Sequence, residues 1–171
     1  KKIAKDIPAL SAIDDRVSQA VQNQYEENPY PRWLKIPHHV EHSYASIIHD
    51  VDPYFKPSPC LQQRPLHMLV AGCGTGKHPI SRAKQVEGAR VLAIDISRSS
   101  LSYGKRMAAK LNVGNIEFQQ SDILNLANLN RKFPVIECVG VLHHMEDPER
   151  GWEILRGLLE PGGVMRIGLY S

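Results

Sequence analysis

The chain has 171 residues, 42% of them hydrophobic, with 12 glycines; this suffices for one packed core and, at roughly 150 residues per domain, excludes two full enzyme domains. Basic residues outnumber acidic ones 21 to 18, a net charge of +3 spread in short runs, so no nucleic-acid patch is visible. Cys60, Cys73 and Cys138 form no C-x-x-C pair, which fits a reducing cytoplasm better than a disulfide framework or a thiolate zinc site. No apolar run approaches the roughly 18 residues of a membrane span, and no signal-peptide core opens the chain.

Residues 1–65 read as a helical and proline-rich leader. Ile13, Val17, Ala20, Val21 and Tyr25 recur at helical spacing, with Ser11 the expected cap and Asp14 and Asp15 near the positive end of the helix dipole. Seven prolines then fall between positions 29 and 65, breaking any long element, with a short helix expected over 39–50. His38 and His42 form an i, i+4 pair next to His39, but no carboxylate at matching spacing completes a metal site.

From position 66 to 171 apolar runs alternate with helical stretches. Strands are expected over 67–71, 90–94, 115–118, 135–139 and 163–169, and helices over 78–86, 99–111 and 148–159. This alternation predicts an α/β fold, a doubly wound and mostly parallel sheet with helices on both faces. Residues 122–130 suggest no definite element.

The strongest chemical signal is Val70-Ala71-Gly72-Cys73-Gly74-Thr75-Gly76-Lys77, a glycine loop between a strand and a helix, where the backbone turns sharply and a ligand can approach it without meeting a Cβ. Asp95 follows 23 positions after Gly72 at the end of the second strand, where a carboxylate accepts from both hydroxyls of a ribose. An adenosine-containing ligand is implied. The dinucleotide pattern G-x-G-x-x-G fails, because its third small residue would be Lys77 or Pro79. The glycines instead take the G-x-G-x-G form, and here the sequence resembles the class I S-adenosylmethionine-dependent methyltransferases.

That resemblance implies S-adenosylmethionine as cofactor and a sheet in the order 3-2-1-4-5-7-6, of which this chain reaches the fifth strand. It assigns Gly72, Cys73, Gly74 and Gly76 to the cofactor's methionine and ribose, Asp95 to the ribose, and Ile96 as the apolar residue beside the adenine. Asp122 would accept from the adenine amino group and Ile123 would pack on the ring. Val139 and Gly140 border the site, and Gly140-Val141-Leu142-His143-His144-Met145 resembles the family's V-L-H-H stretch. Pro161-Gly162-Gly163 resembles its turn into the fifth strand. Residues 24–33 resemble the leader of bacterial methyltransferases that follow tetratricopeptide repeats. Two positions depart from the family pattern: Val70 stands where many members carry an acid, and Pro134 replaces an acid before the fourth strand. An ending at the fifth strand implies a truncated core and an exposed edge that invites self-association.

His143 and His144 are the candidate general bases. Alignment supplies much of the rate of methyl displacement, however, and packing around the cofactor loop is the plainer role for both. Tyr25, Tyr30, Arg32 and Trp33 are candidates for a substrate lid or for packing on the sheet. Cys73 reads as a small filler. Glu137 in its apolar strand either approaches the cofactor's ammonium or faces a polar helix. The resulting function is methyl transfer to an unidentified acceptor, with a cofactor-binding module lacking turnover as the alternative and a nicotinamide dehydrogenase as the weakest reading.

Overall fold

The computed structural model describes residues 6–37 and 40–169. Strands β1 (Leu66–Ala71), β2 (Ala89–Asp95), β3 (Ile116–Gln120), β4 (Phe133–Val139) and β5 (Leu159–Gly168) pair in the order β3-β2-β1-β4-β5, every pair parallel. Helices α1 (Arg16–Glu27) and α2 (Tyr44–His49) come from the leader; α3 (Lys77–Gln85), α4 (Arg98–Lys110) and α5 (Pro148–Gly157) connect the strands. The expected Rossmann-like order is thus observed. Among the described residues no helix is long and apolar enough to cross a membrane.

Central strands β1 and β4 are nearly continuous apolar runs because both of their faces are covered, as parallel sheets require. On one face Met68, Val70, Val91 and Val135 meet Ile80 of α3, Leu101 and Met107 of α4, and Ile7, Trp33 and Tyr44 of the leader. On the other, Leu69, Leu92, Ile136 and Cys138 meet Leu142 and the α5 residues Ile154 and Leu155.

Several boundaries differ from the sequence expectation for local reasons. The α1 cap is Asp15, whose carboxylate accepts from the Ser18 N–H at 2.8 Å, while the Ser11 hydroxyl is engaged with that of Ser121 at 3.0 Å. Helix α2 starts only at Tyr44, capped by Ser43; His38 and His39 lie outside the described residues. Residues Ile123–Asn128, for which the sequence suggests no definite element, form a 3₁₀ turn capped by Asp122. Strand β5 begins at Leu159 and α5 ends correspondingly early, because Leu159 already pairs with Phe133 before a bulge carries the chain through Pro161 and Gly162.

The leader also touches both sides of the sheet. At the β3 edge the Gln120 N–H donates to the Pro8 carbonyl, and the Leu10 N–H to the Gln120 carbonyl, both at 2.8 Å. Beside β5 the Ser58 hydroxyl donates to the Gly162 carbonyl at 2.5 Å.

Helix α4 approaches the glycine loop at Gly104, where a Cβ would sit 2.8 Å from Phe118 Cε1 and 3.3 Å from the Gly76 Cα. A helical Gly→Ala change ordinarily stabilises by about 0.5–1 kcal/mol. Here the buried ring must shift, so Gly104→Ala is expected to reduce unfolding free energy by about 1–3 kcal/mol in a urea titration. An unchanged midpoint would mean that the ring yields freely.

Candidate functional site

A cavity of about 750 Å³ opens at the carboxyl ends of the strands. After β1 it is lined by Gly72, Cys73 and Gly74; after β2 by Asp95 and Ile96; after β3 by Asp122 and Ile123; and after β4 by Val139 and Gly140. Gly76 is not on its wall. It caps α3 at φ 84°, and a Cβ there would meet the Gly104 Cα at 2.9 Å, so its role in the fold is close packing of the loop on α4. Gly72 has φ 68°, and a Cβ on it would lie 2.2 Å from Val141 Cγ2.

Asp95 is buried, and its two oxygens accept from the Gly74 N–H at 2.7 Å and the Ser97 N–H at 2.9 Å. Burial pushes its carboxyl above the ordinary range, and these backbone donors offset part of that. Asp122 is 3% exposed; Oδ1 accepts from the Leu124 N–H at 3.0 Å, while Oδ2 has no hydrogen-bond partner among the described residues. The Ser100 hydroxyl, 1% exposed and also on the cavity wall, has none either. Sequence reading missed Ser100; a polar residue one turn into the helix after Asp95 was the available signal.

The leader forms the cavity's outer wall. Val17, Val21 and Tyr25, spaced i, i+4, i+8, project one half-buried stripe of α1 into it, and no residue of α1 is fully buried. Glu26 pins this helix by accepting from the backbone N–H groups of Arg98 and Ser99 at the N-terminus of α4. Tyr30 is 70% exposed and lines the rim. Arg32 is exposed away from the lining, and Trp33 is buried with its Nε1–H donating to the Thr75 carbonyl at 3.1 Å. The Thr75 hydroxyl donates in turn to the Pro31 carbonyl at 2.5 Å, so residues 31–33 strap the glycine loop.

Glu137 faces a polar helix. It has no exposed surface; Oε1 accepts from the Tyr44 hydroxyl at 2.9 Å, and Oε2 is bonded to His78 Nε2 at 2.6 Å and Arg82 Nε at 2.9 Å. Burial alone would raise this carboxyl, but hydrogen bonds and charge from His78 and Arg82 outweigh it and hold it at about 2. Burial and the adjacent carboxylate drive the Tyr44 phenol upward. The sequence signal for this cluster was His78 and Arg82 at i, i+4 on one helix, opposite an acid in an apolar strand.

His144 lines the cavity, and the His143 ring lies tilted against it, centroids 4.1 Å apart, without lining the cavity. Burial and the neighbouring His143 lower the His144 imidazole. Burial and the charge of Asp95 raise the Cys73 thiol well above its ordinary value, so it is a weak nucleophile where it stands.

A doubly wound parallel sheet with a cavity at the carboxyl ends of its central strands defines the Rossmann-like fold class. Within that class the chain belongs to the methyltransferase domain family, whose model matches residues 63–171. It is 33% identical over 177 aligned positions to an uncharacterized protein of Synechococcus sp., covering 95% of this chain and 39% of that protein. It is 35% identical to a ubiquinone biosynthesis O-methyltransferase of Coxiella burnetii over 99 positions, covering 58% of this chain and 41% of the relative. The chain thus spans about two fifths of the length of both. In fold it resembles an S-adenosylmethionine-dependent methyltransferase from Clostridium acetobutylicum, with a TM-score of 0.54 at 21% identity over 71% of this chain and 55% of the other.

The Glu137 carboxyl sits at about 2 when folded against 4.5 ordinarily, so its stabilisation is fully present above pH 4.5 and is lost as pH falls toward 2. In acid unfolding the wild type should lose on the order of 3 kcal/mol from this group over that window. Glu137→Gln should show a correspondingly shallower slope there; an identical slope would mean that other carboxylates dominate.

Proposed function

We propose that this chain binds S-adenosylmethionine in the cavity at the ends of β1 to β4 and carries out methyl transfer to an acceptor bound beside it. The observation that carries the reading is the pair of buried acids on that wall, Asp95 and Asp122, the latter with Oδ2 unpartnered among the described residues. A buried acceptor without a donor is costly, and a ligand presenting hydroxyl and amino hydrogens relieves the cost. Asp95 would take the ribose hydroxyls, Asp122 the adenine amino group, and Ile96 and Ile123 the faces of the ring. Gly72 and Gly74 leave the backbone open to the sugar and the methionine chain. When bound, S-adenosylmethionine supplies an electrophilic sulfonium methyl group. The chain's own contribution is alignment and exclusion of water, with Val17, Val21 and Tyr25 of α1 closing the outer side.

The acceptor belongs to this reading only as a class: a molecule that reaches the cavity past Tyr25, Tyr30 and His144. The likeness of residues 24–33 to the leader of methyltransferases that follow tetratricopeptide repeats supports a narrower bacterial placement within the family. A cytoplasmic setting is supported by the three cysteines, all free thiols.

Two measurements test the proposal. S-adenosylmethionine or its demethylated product should raise the melting temperature while NADH does not, since only a ligand of the folded state stabilises it; stabilisation by NADH alone would sink the reading. In calorimetry Asp95→Ala should weaken S-adenosylmethionine binding by about 1.5–3 kcal/mol, the loss of a charge-assisted acceptor. Unchanged affinity would remove Asp95 from the site.

A further inference from the structure

We infer that the outer half of the cavity takes an uncharged, ring-sized hydroxy compound, a phenol in chemical class, as the methyl acceptor. The inference rests on the cofactor reading above and deepens it, because it concerns the wall to which that reading gives no ligand. The charges along the cavity are segregated. Asp95 and Asp122 follow β2 and β3, Lys77 and His78 begin α3, and Arg166 belongs to β5. The outer wall is made by Val17, Val21 and Tyr25 of α1, Tyr30 on the rim, and Val141 and Met145 after β4. None of these side chains carries a charge. The acids at the end of α1 do not supply one either, because the Glu26 carboxylate is spent on the Arg98 and Ser99 N–H groups and Glu27 is exposed off the cavity wall.

This apolar wall is held in place from both ends. Val141 packs on Gly72, where a Cβ would lie 2.2 Å from its Cγ2, and Met145 packs on Gly151 of α5, where a Cβ would lie 2.7 Å from its Sδ. Each needs the glycine opposite it. On the α1 side, Gln22 ties the helix to the Ile96 carbonyl at 3.1 Å.

An ion laid against such a surface loses its water without gaining a partner, a cost that apolar contact does not offset. Amines and carboxylates are ions near neutral pH, whereas a phenol or alcohol hydroxyl is not. Of these nucleophiles the wall selects the hydroxyl. The rings of Tyr25 and Tyr30 and the Met145 thioether then favour a planar ring over a chain, since ring–ring and sulfur–ring contacts add to apolar burial. His144, which stands between Val141 and Met145 in sequence and also lines the cavity, supplies the polar partner. Burial and the neighbouring His143 keep its imidazole neutral near pH 7, so it accepts from a hydroxyl and offers no charge to an anion.

The test saturates the protein with S-adenosylhomocysteine and titrates, by calorimetry at pH 7, probes of one size: 4-methylphenol, 4-methylbenzoate and 4-methylbenzylamine, which are neutral, anionic and cationic there. In the expected result wild type binds the phenol about tenfold or more tighter than either ion. Val21→Glu places a carboxylate on the half-buried α1 stripe and should move the preference to the benzylamine, each variant being saturated at its own measured affinity for S-adenosylhomocysteine. Wild type should also bind 4-methylanisole, which lacks the O–H, about fivefold weaker than the phenol, and His144→Phe should erase that difference.

An ion bound as tightly as the phenol overturns the inference, as does a saturated wild type that takes none of the probes. So does a Val21→Glu variant that ranks them like wild type, or a wild type that binds the anisole as well as the phenol. Should Val21→Glu fail to fold, the ranking by wild type and the response of His144→Phe still decide. Wild type that does not bind S-adenosylhomocysteine at all sinks the cofactor reading itself, an outcome distinct from saturation without discrimination.

Discussion

Burying a carboxylate in the middle of a parallel strand costs several kcal/mol unless its oxygens are hydrogen-bonded and its charge is matched, and Glu137 imposes that condition on three segments. Its strand neighbours Ile136 and Cys138 point into the opposite layer, so every donor must arrive on the face that α3 covers. His78 and Arg82 come from successive turns of α3, which fixes the rotation of that helix about its axis. Because α3 begins at Gly76, fixing its rotation also fixes how the glycine loop leaves β1. Tyr44 brings the leader to the same carboxylate, and Arg166 brings β5 within Coulomb range. Removing one partner from such a group leaves an uncompensated charge, so the network binds the leader to the sheet more firmly than apolar contact alone.

The leader is held by polar anchors of unequal depth. Trp33 and Tyr44 are buried against the core, whereas α1 buries none of its residues and rests on Glu26 at the end of α4 and on the Gln22 side chain, which donates to the Ile96 carbonyl at 3.1 Å. Segments with few buried apolar contacts open at low free energy. The wall formed by Val17, Val21 and Tyr25 is therefore the part of the cavity that yields first, while the loop beneath Trp33 stays in place.

Much of the core was legible in the sequence because a doubly wound sheet writes itself as apolar runs separated by glycine turns, and central strands buried on both faces need no alternation to be recognised. The beginning of β5 was not legible: Pro161-Gly162-Gly163 reads as a turn, yet Leu159 pairs with Phe133 upstream of it, a contact that only the neighbouring strand specifies. The α1 cap failed for a similar reason, since Ser11 and Asp15 are both good caps locally and the Ser11 hydroxyl is engaged by Ser121, 110 positions away. Trp33 was balanced between lid and packing, and the balance turned on the Thr75 carbonyl waiting for an N–H. For Glu137 the sequence offers a polar helix as one of two surroundings, but not the individual partners, because Tyr44 and His78 stand 93 and 59 positions from it.

The three buried carboxylates among the described residues differ in a way that separates support from recognition. Glu137 receives three hydrogen bonds from side chains of the fold and is held down at about 2; with both oxygens occupied it has little left for a ligand. Asp95 receives two backbone N–H bonds, yet burial still pushes it above the ordinary range, so its charge is under-compensated by the protein. Asp122 leaves one oxygen without a partner among the described residues. The fold thus meets one acid with three side-chain donors, gives Asp95 one backbone N–H on each oxygen, and leaves one Asp122 oxygen without a donor among the described residues. The satisfied acid sets the positions of cations and helices, and the under-satisfied acids keep acceptors aimed at whatever enters. A ligand that carries hydroxyl and amino donors on one part is then oriented with that part toward the β2 and β3 side before any shape matching begins.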